Sequence, residues 1–477
     1  MVFSSLTFLL LFLPVLLGLY FLGRSWKWRN GVLIAASLFF YGWGEPVWIL
    51  AMLFSTAVNF LCAQKLDRSA SPAARKGWLA LGVVMSVAFL FYFKYAAFFA
   101  NMAAAVLNLP GRMTAPRLPI GISFYTFQIL TYTVDVYRKK TPVQKSFWRL
   151  LLYVSCFPQL IAGPIVQYAD VEPQLAERSV SPEDFTAGMR RFIAGLVKKV
   201  LLANICGAAL SETVQAGTGA ELSALGAWLG AFLYTLQIYF DFSAYSDMAI
   251  GLGRILGFTY KENFRFPYAS RSVTEFWRRW HISLGSFFRD YVYIPLGGNR
   301  RGNARTALNM GIVWALTGLW HGASWNFVLW GLFYGVLLML ERFVLAKPLD
   351  RLPGGLRWAL TQLMVILGWV IFYYEDLGAV GQHLLAMIGL SPLGGLHAAP
   401  AWDAAALGVL RRYTVFPLLA YILSLPLIPA LRERMGRSAA GERILRAGGA
   451  VISAGLLALS LVFLIGQSYN PFIYFRF

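Results

Sequence analysis

Apolar stretches long enough to cross a bilayer recur from one end of this chain to the other. That recurrence restricts its fold more than any other feature. LTFLLLFLPVLLGLYFLG (6–23), WLALGVVMSVAFLFYF (78–93), FVLWGLFYGVLLML (327–340) and AVISAGLLALSLVFLIG (450–466) are examples. A span needs roughly 20 apolar residues. Backbone groups in lipid must find partners within the protein, which makes helices the economical solution. Only 13% of the 477 residues are charged, about half the share of a soluble domain. The expected fold class is therefore all-α, a polytopic membrane bundle of about eleven or twelve spans with re-entrant and interfacial pieces. It reads as a single domain over 1–477, closing in an outward helix and aromatic tail over 447–477.

A net charge of +20 would suggest nucleic acid in a soluble protein. Here its distribution speaks to topology, because short cytoplasmic loops collect Lys and Arg, and no nucleic-acid partner is expected. RSWKWRN (24–30), KLDRSASPAARK (65–76), YRKKTPVQKSFWR (137–149) and LRERMGRSAAGERILR (431–446) are basic and read as internal. YGWGEP (41–46) reads as an external turn. DVEPQLAERSVSPED (170–184), with five acids and one Arg, also reads as external. No basic residue precedes the first apolar segment and no small-x-small site follows it, so it reads as an uncleaved span. Both termini are then expected outside. Cys62, Cys156 and Cys206 are scattered in apolar helices and read as buried small hydrophobes.

Two segments resist simple spanning. FTAGMRRFIAGLVKKVLLANI (185–205) sets four cations in a half-apolar helical pattern, which suits an interfacial helix or one packed in the bundle. Residues 254–305 hold ten basic residues and three acids among Trp, Phe and Tyr. A protein-packed, re-entrant segment opening to the cytoplasm fits that mixture.

Four histidines exist. His383 and His397 lie near loops and read as surface or packing residues. His321, in ALTGLWHGASWNFVLWG (315–331), is the one ionisable group in an apolar run. Intramembrane ionisable groups are often functional, yet composition leaves open a histidine that only locks helix packing. No metal site is expected, since HxxxH and HExxH are absent and no Cys stands near. No GxSxG elbow is present for a hydrolase. What remains is a general base awaiting a hydroxyl and an electrophile. His281, in TEFWRRWHISLGSFFRDYVYIPLGGNRRGN (274–303), lies one apolar helix earlier, where both rings can face one chamber. Around it Arg278, Arg279, Arg289, Asn299, Arg300 and Arg301 suit a phosphorylated donor such as a coenzyme A thioester. Positive-inside topology explains the same arginines equally well. Asp241 and Asp247, six positions apart in YFDFSAYSDM, fall on different faces of a helix. They read as partners of nearby cations sooner than as a proton-carrying pair.

These motifs, in this order, resemble the membrane-bound O-acyltransferase superfamily, nearest its bacterial alginate O-acetyltransferase and D-alanyl-transfer branch. SVTEFWRRWHISLGSFFRDYVYIPLGGNR, LPIGISFYTFQILTYTVDVYR (118–138), FPQLIAGPIVQY (157–168), YFDFSAYSDMAIGLG (239–253) and GLWHGASWNFVLWG (318–331) carry the likeness over nearly the whole chain. The resemblance implies an integral enzyme of a bacterial cytoplasmic membrane that moves a short acyl group from a cytoplasmic thioester, acetyl-CoA, to a hydroxyl outside. It implies no tightly bound cofactor. It implies His321 as the catalytic histidine and His281 as an important second residue, orienting the donor or stabilising developing negative charge. In the D-alanyl-transfer branch a small separate membrane peptide ends in an aromatic motif whose tyrosine is proposed to carry the acyl group. YNPFIYFRF (469–477) ends this chain similarly, which makes Tyr474 a candidate acyl carrier, with an aromatic interfacial anchor as the alternative. The expected partner is an extracytoplasmic SGNH-type protein. The expected acceptor is alginate, another exopolysaccharide or peptidoglycan. Against this stand a flippase or exporter using Asp241 and Asp247, and a non-catalytic scaffold.

Overall fold

The computed structural model describes residues 1–215, 221–413, 415–466 and 472–473. These are mostly helical, and the β-structure among them is one antiparallel pair, Leu390–Ser391 with His397–Ala398. Six described helices are long and apolar enough to cross a membrane: Ile49–Arg68, Pro72–Lys94, Pro182–Val214, Trp325–Asp350, Gly354–Tyr373 and Ala439–Ile465. The bent pair Ala404–Tyr413 and Val415–Leu423 brings the number to seven. The larger sequence count takes in apolar segments that fold as shorter helices, such as Phe8–Leu22 and Ala96–Val106. The segment over 185–205 belongs to a helix of spanning length, and two of its four cations, Arg191 and Lys199, are held in ion pairs.

The chain forms two compact units. The first comprises Met1–Ala194, Tyr245–Glu262 and the described residues after Leu464; the second comprises Gly195–Ala244 and Asn263–Phe463.

In the first unit, polar contacts gather the basic loops at one end. Gln64 Nε2 donates to the Gln144 carbonyl at 2.8 Å, and Arg75 donates to that of Tyr137 at 3.2 Å. Residues 65–76 and 137–149 therefore share a side, as their charge implies. Residues 170–184 lie there too, contrary to the external placement read from their acids. Asn30 Nδ2 donates to the Leu175 carbonyl at 3.0 Å, Lys261 pairs with Asp170 at 2.6 Å, and Arg254 pairs with Asp184 at 3.0 Å. These acids are ion-pair partners of the basic end, and acidic residues carry little topological information.

The chain reaches 170 from 149 without crossing. Phe147–Ser155 spans about 13 Å at the α-helical rise, less than half a bilayer core. Pro158 follows it within the short helix Phe157–Leu160. Residues 150–168 are buried throughout. Tyr153 Oη donates to the Val166 carbonyl at 2.7 Å, and Gln144 Nε2 donates to Tyr168 Oη at 3.0 Å. This is a re-entrant, protein-packed hairpin of helix and loop.

In the second unit, helices Gly302–His321 and Trp325–Leu340 approach with almost no side chain between them. A Cβ on Gly318 would stand 2.4 Å from the Phe327 carbonyl oxygen, and one on Gly331 would stand 2.5 Å from that of Trp314. Small residues permit such contact between membrane helices. Around this crossing Trp277, Trp314, Trp330, Tyr334 and Trp369 pack edge to face and tilted. The short helix Val273–Arg279 is fixed at its start by Ser272 Oγ, which accepts from the Glu275 amide. It is also fixed by Glu341, which accepts from the amides of Val273 and Thr274. Capping of this kind satisfies amide groups that have no partner inside the helix. Residues 263–301 thus form the irregular, aromatic-packed segment their composition implies.

Candidate active site

His321 is the last residue of helix Gly302–His321. The backbone turns extended at Gly322 and the next helix starts after Ser324. Gly322 leaves room for the Phe327 ring, which a Cβ there would strike at 2.2 Å. That ring packs beside the imidazole, with centroids 6.4 Å apart. The His321 ring meets Trp330 at 4.9 Å and Phe372 at 5.0 Å, both nearly perpendicular. Its side chain is 7% exposed. Asn326, fully buried, accepts from Ser324 Oγ on the same turn.

His281 sits in the turn between helices Val273–Arg279 and Ile282–Phe288, with φ 44° and ψ 54°. That left-handed conformation is costly for a residue with a Cβ and persists only where surroundings impose it. Asn263 supplies the constraint. Its backbone carbonyl accepts from the Ile282 amide at 3.0 Å, and its Oδ1 accepts from the Ser283 amide at 3.2 Å and hydroxyl at 2.9 Å. His281 Nδ1 lies 3.2 Å from the same Oδ1. Phe242 stands perpendicular to the imidazole at 4.7 Å. Burial lowers the His281 pKa to about 3, so the ring is neutral near pH 7. The indole of Trp320 packs on both histidines, 5.9 Å from His281 and 4.9 Å from His321. The two histidines are thus joined through one aromatic ring, with Asn263 and Ser283 the polar side chains beside His281 Nδ1.

The basic residues of the segment lie at its exposed side. Arg278, Asn299, Arg300 and Arg301 are exposed. Arg279 pairs with Glu275 at 2.5 Å, and Arg289 pairs with the adjacent Asp290 at 2.7 Å. Ring contacts to both histidines are aromatic. Asp241 pairs with Lys199 at 2.5 Å, and Asp247 with Arg191 at 2.6 Å, Arg191 also holding Glu262. His383 is a packing residue: Nε2 donates to the Ala227 carbonyl at 2.9 Å, and Nδ1 accepts from Tyr374 Oη at 2.8 Å. His397 lies at the surface beside Glu221. Among the described residues no three His, Cys, Asp or Glu side chains gather as a metal site. Cys62, Cys156 and Cys206 are free and buried.

Tyr474 lies outside the described residues. Phe472, two positions earlier, is 1% exposed and meets Tyr245 edge-on at 5.0 Å. Tyr245 stands about 14 Å along its helix from Arg254 of the basic end, so Phe472 is inserted into the first unit and not laid on its rim. Sequence reasoning missed Asn263, Ser283 and Trp320. None had a local signal, since the stretch between Asn263 and Ser283 holds many other polar residues.

Comparison with known proteins gives a consistent picture. Residues 122–347 match the membrane-bound O-acyltransferase family (MBOAT), a stretch that includes both His281 and His321. The chain is 38% identical to a Pseudomonas aeruginosa protein named "Probable alginate O-acetylase AlgI", over the full length of both. It is 32% identical to the peptidoglycan O-acetyltransferase of Helicobacter pylori over 83% of this chain and 81% of that one. It is 27% identical to the teichoic acid D-alanyltransferase of Bacillus subtilis over 52% and 65% respectively.

Proposed function

Because this chain belongs to the membrane-bound O-acyltransferase family, an O-acyltransferase built as a multi-pass membrane protein, we propose that it acetylates an extracytoplasmic polysaccharide with acetyl-CoA as donor. The relatives named for alginate and peptidoglycan O-acetylation support the acetyl group and the polymer class. Alginate, another exopolysaccharide and peptidoglycan are the acceptors considered. The observation that carries the reading is the meeting of His321 and His281 on Trp320, within the matched family region.

The thioester enters from the cytoplasmic side, where the positive-inside rule places the arginines of the second unit's irregular segment. Arg278, Arg279, Arg289, Asn299 and Arg300 meet its phosphates at the exposed side of their segment. His321 takes the proton of the attacking hydroxyl as the C–O bond forms and the C–S bond breaks, and the coenzyme A thiolate takes up that proton on leaving. His281 orients the donor. The first hydroxyl is that of Tyr474, from which an SGNH-type partner outside carries the acetyl group to the polymer. The burial of Phe472 supports a tail that enters the protein. The flippase reading is weaker, because its proton carriers Asp241 and Asp247 are each held by a cation.

The test is to incubate purified protein with acetyl-labelled acetyl-CoA and map the adduct. Label on Tyr474, lost in Tyr474→Phe, is the expected result. Label that survives Tyr474→Phe rejects the relay, and failure to consume acetyl-CoA rejects the donor.

A further inference from the structure

We propose that Asn263 is a positioning residue that fixes His281 with its proton on Nδ1, leaving Nε2 to receive a hydrogen bond from a substrate hydroxyl or N–H. The inference rests on the reading of this chain as an acyltransferase whose His281 faces the substrate.

The tautomer follows from what each atom is able to do. The Ser283 backbone amide can only donate, and it points at Asn263 from 3.2 Å, so the amide atom there is the oxygen Oδ1. The Ser283 hydroxyl donates to the same oxygen at 2.9 Å. His281 Nδ1 faces that oxygen at 3.2 Å. Two lone pairs at that distance repel, so Nδ1 carries the hydrogen. Ser283 Oγ, its own hydrogen directed at Asn263, presents a lone pair to the same N–H at 3.4 Å. A neutral imidazole has one N–H, and Nε2 is therefore an acceptor.

Among the described residues nothing meets it. Nε2 is buried and has no hydrogen-bond partner, and the ring is surrounded by Phe242, Phe264 and Trp320. A buried polar atom left unpaired is destabilising, and a hydrogen bond from a bound molecule would relieve that cost. The strained backbone of His281 is also maintained by Asn263, through its carbonyl to Ile282 and its side chain to Ser283. Asn263 thus aims a lone pair into an apolar site and keeps it unprotonated. The alternative role, donation to a developing oxyanion, needs a hydrogen on Nε2 and does not fit this arrangement.

Two measurements test this on the full-length protein in detergent. The first is the ¹⁵N spectrum of protein labelled at its four histidines, with His281→Asn identifying the His281 signals. A protonated Nδ1 and bare Nε2 are expected, and loss of that single form in Asn263→Leu. A hydrogen on Nε2 overturns the proposal. The second compares substitutions that retain one ring position each. Asparagine reproduces the Nδ1 donor and glutamine can offer an oxygen near Nε2. His281→Gln should retain kcat within about 10-fold, and His281→Asn should lose about 100-fold or more, the range of a catalytic proton contact. Asn263→Asp, which keeps every acceptor contact, should restore most of the kcat lost in Asn263→Leu. Full activity of His281→Asn or Asn263→Leu overturns the proposal. If Asn263→Leu does not fold, the wild-type spectrum and the glutamine–asparagine pair still decide. A bare Nε2 in a protein that ignores acetyl-CoA would fault the donor assignment and leave the tautomer standing.

Discussion

Lys199 and Asp241 place two opposite charges 2.5 Å apart with each side chain about 97% shielded from solvent. A pair so buried gains little over an apolar pair of equal size, but loss of one partner strands the other charge. Asp241→Ala should therefore cost about 3–5 kcal/mol, and the double change Lys199→Met with Asp241→Leu should recover most of it. Thermal unfolding in detergent measures both, and a silent Asp241→Ala contradicts the pairing. His383 gives a pH signature. Burial lowers its pKa to about 4, against roughly 6.5 when unfolded. Between those values the unfolded chain binds a proton that the folded one refuses, so the contribution is present above about 6.5 and falls as pH falls. Melting temperature should drop from pH 7 to pH 5, less steeply in His383→Gln; an equal slope contradicts this. At this scale His321 stood out as an ionisable group in an apolar run, whereas His281, set among arginines, was singled out by the family motif around it. Asn263 was not, because its partners lie 18 and 20 positions later and nothing local announces the contact.

Among the elements, the crossing of Gly302–His321 and Trp325–Leu340 matters most, since His321 ends the first of these helices. Gly318→Val or Gly331→Val must push the helices apart, because a Cβ alone meets backbone at 2.4 or 2.5 Å. Overpacking of this sort costs about 1–3 kcal/mol, and turnover should fall with it as His321 shifts. Unchanged turnover in a destabilised Gly318→Val would separate helix spacing from the site. Long apolar helices were plain in the sequence, and so was the irregular character of 254–305, since that mixture of Arg and Trp suits neither lipid nor water. The hairpin over 147–168 was hidden. Its residues are as apolar as a span, and only Pro158 and its short flanking helices show that the chain turns back.

At the scale of the whole molecule, the basic loops 65–76 and 137–149 share one end of the first unit, and the acidic segment read as external joins them there. Lys and Arg are retained on the cytoplasmic side, whereas Asp170 and Asp184 are placed by the cations they bind. Arg68 and Glu177 are both exposed. Single cysteines at these two positions should react with a membrane-impermeant thiol reagent from the same side of sealed vesicles. Reaction from opposite sides contradicts the fold of the first unit. The central claim is that His321 removes the proton that starts acyl transfer, and its most direct test is acetyl-CoA consumption by His321→Ala in reconstituted vesicles. Correct insertion and an unchanged melting profile with turnover reduced about 100-fold or more is the expected result. Wild-type turnover in that variant would contradict it.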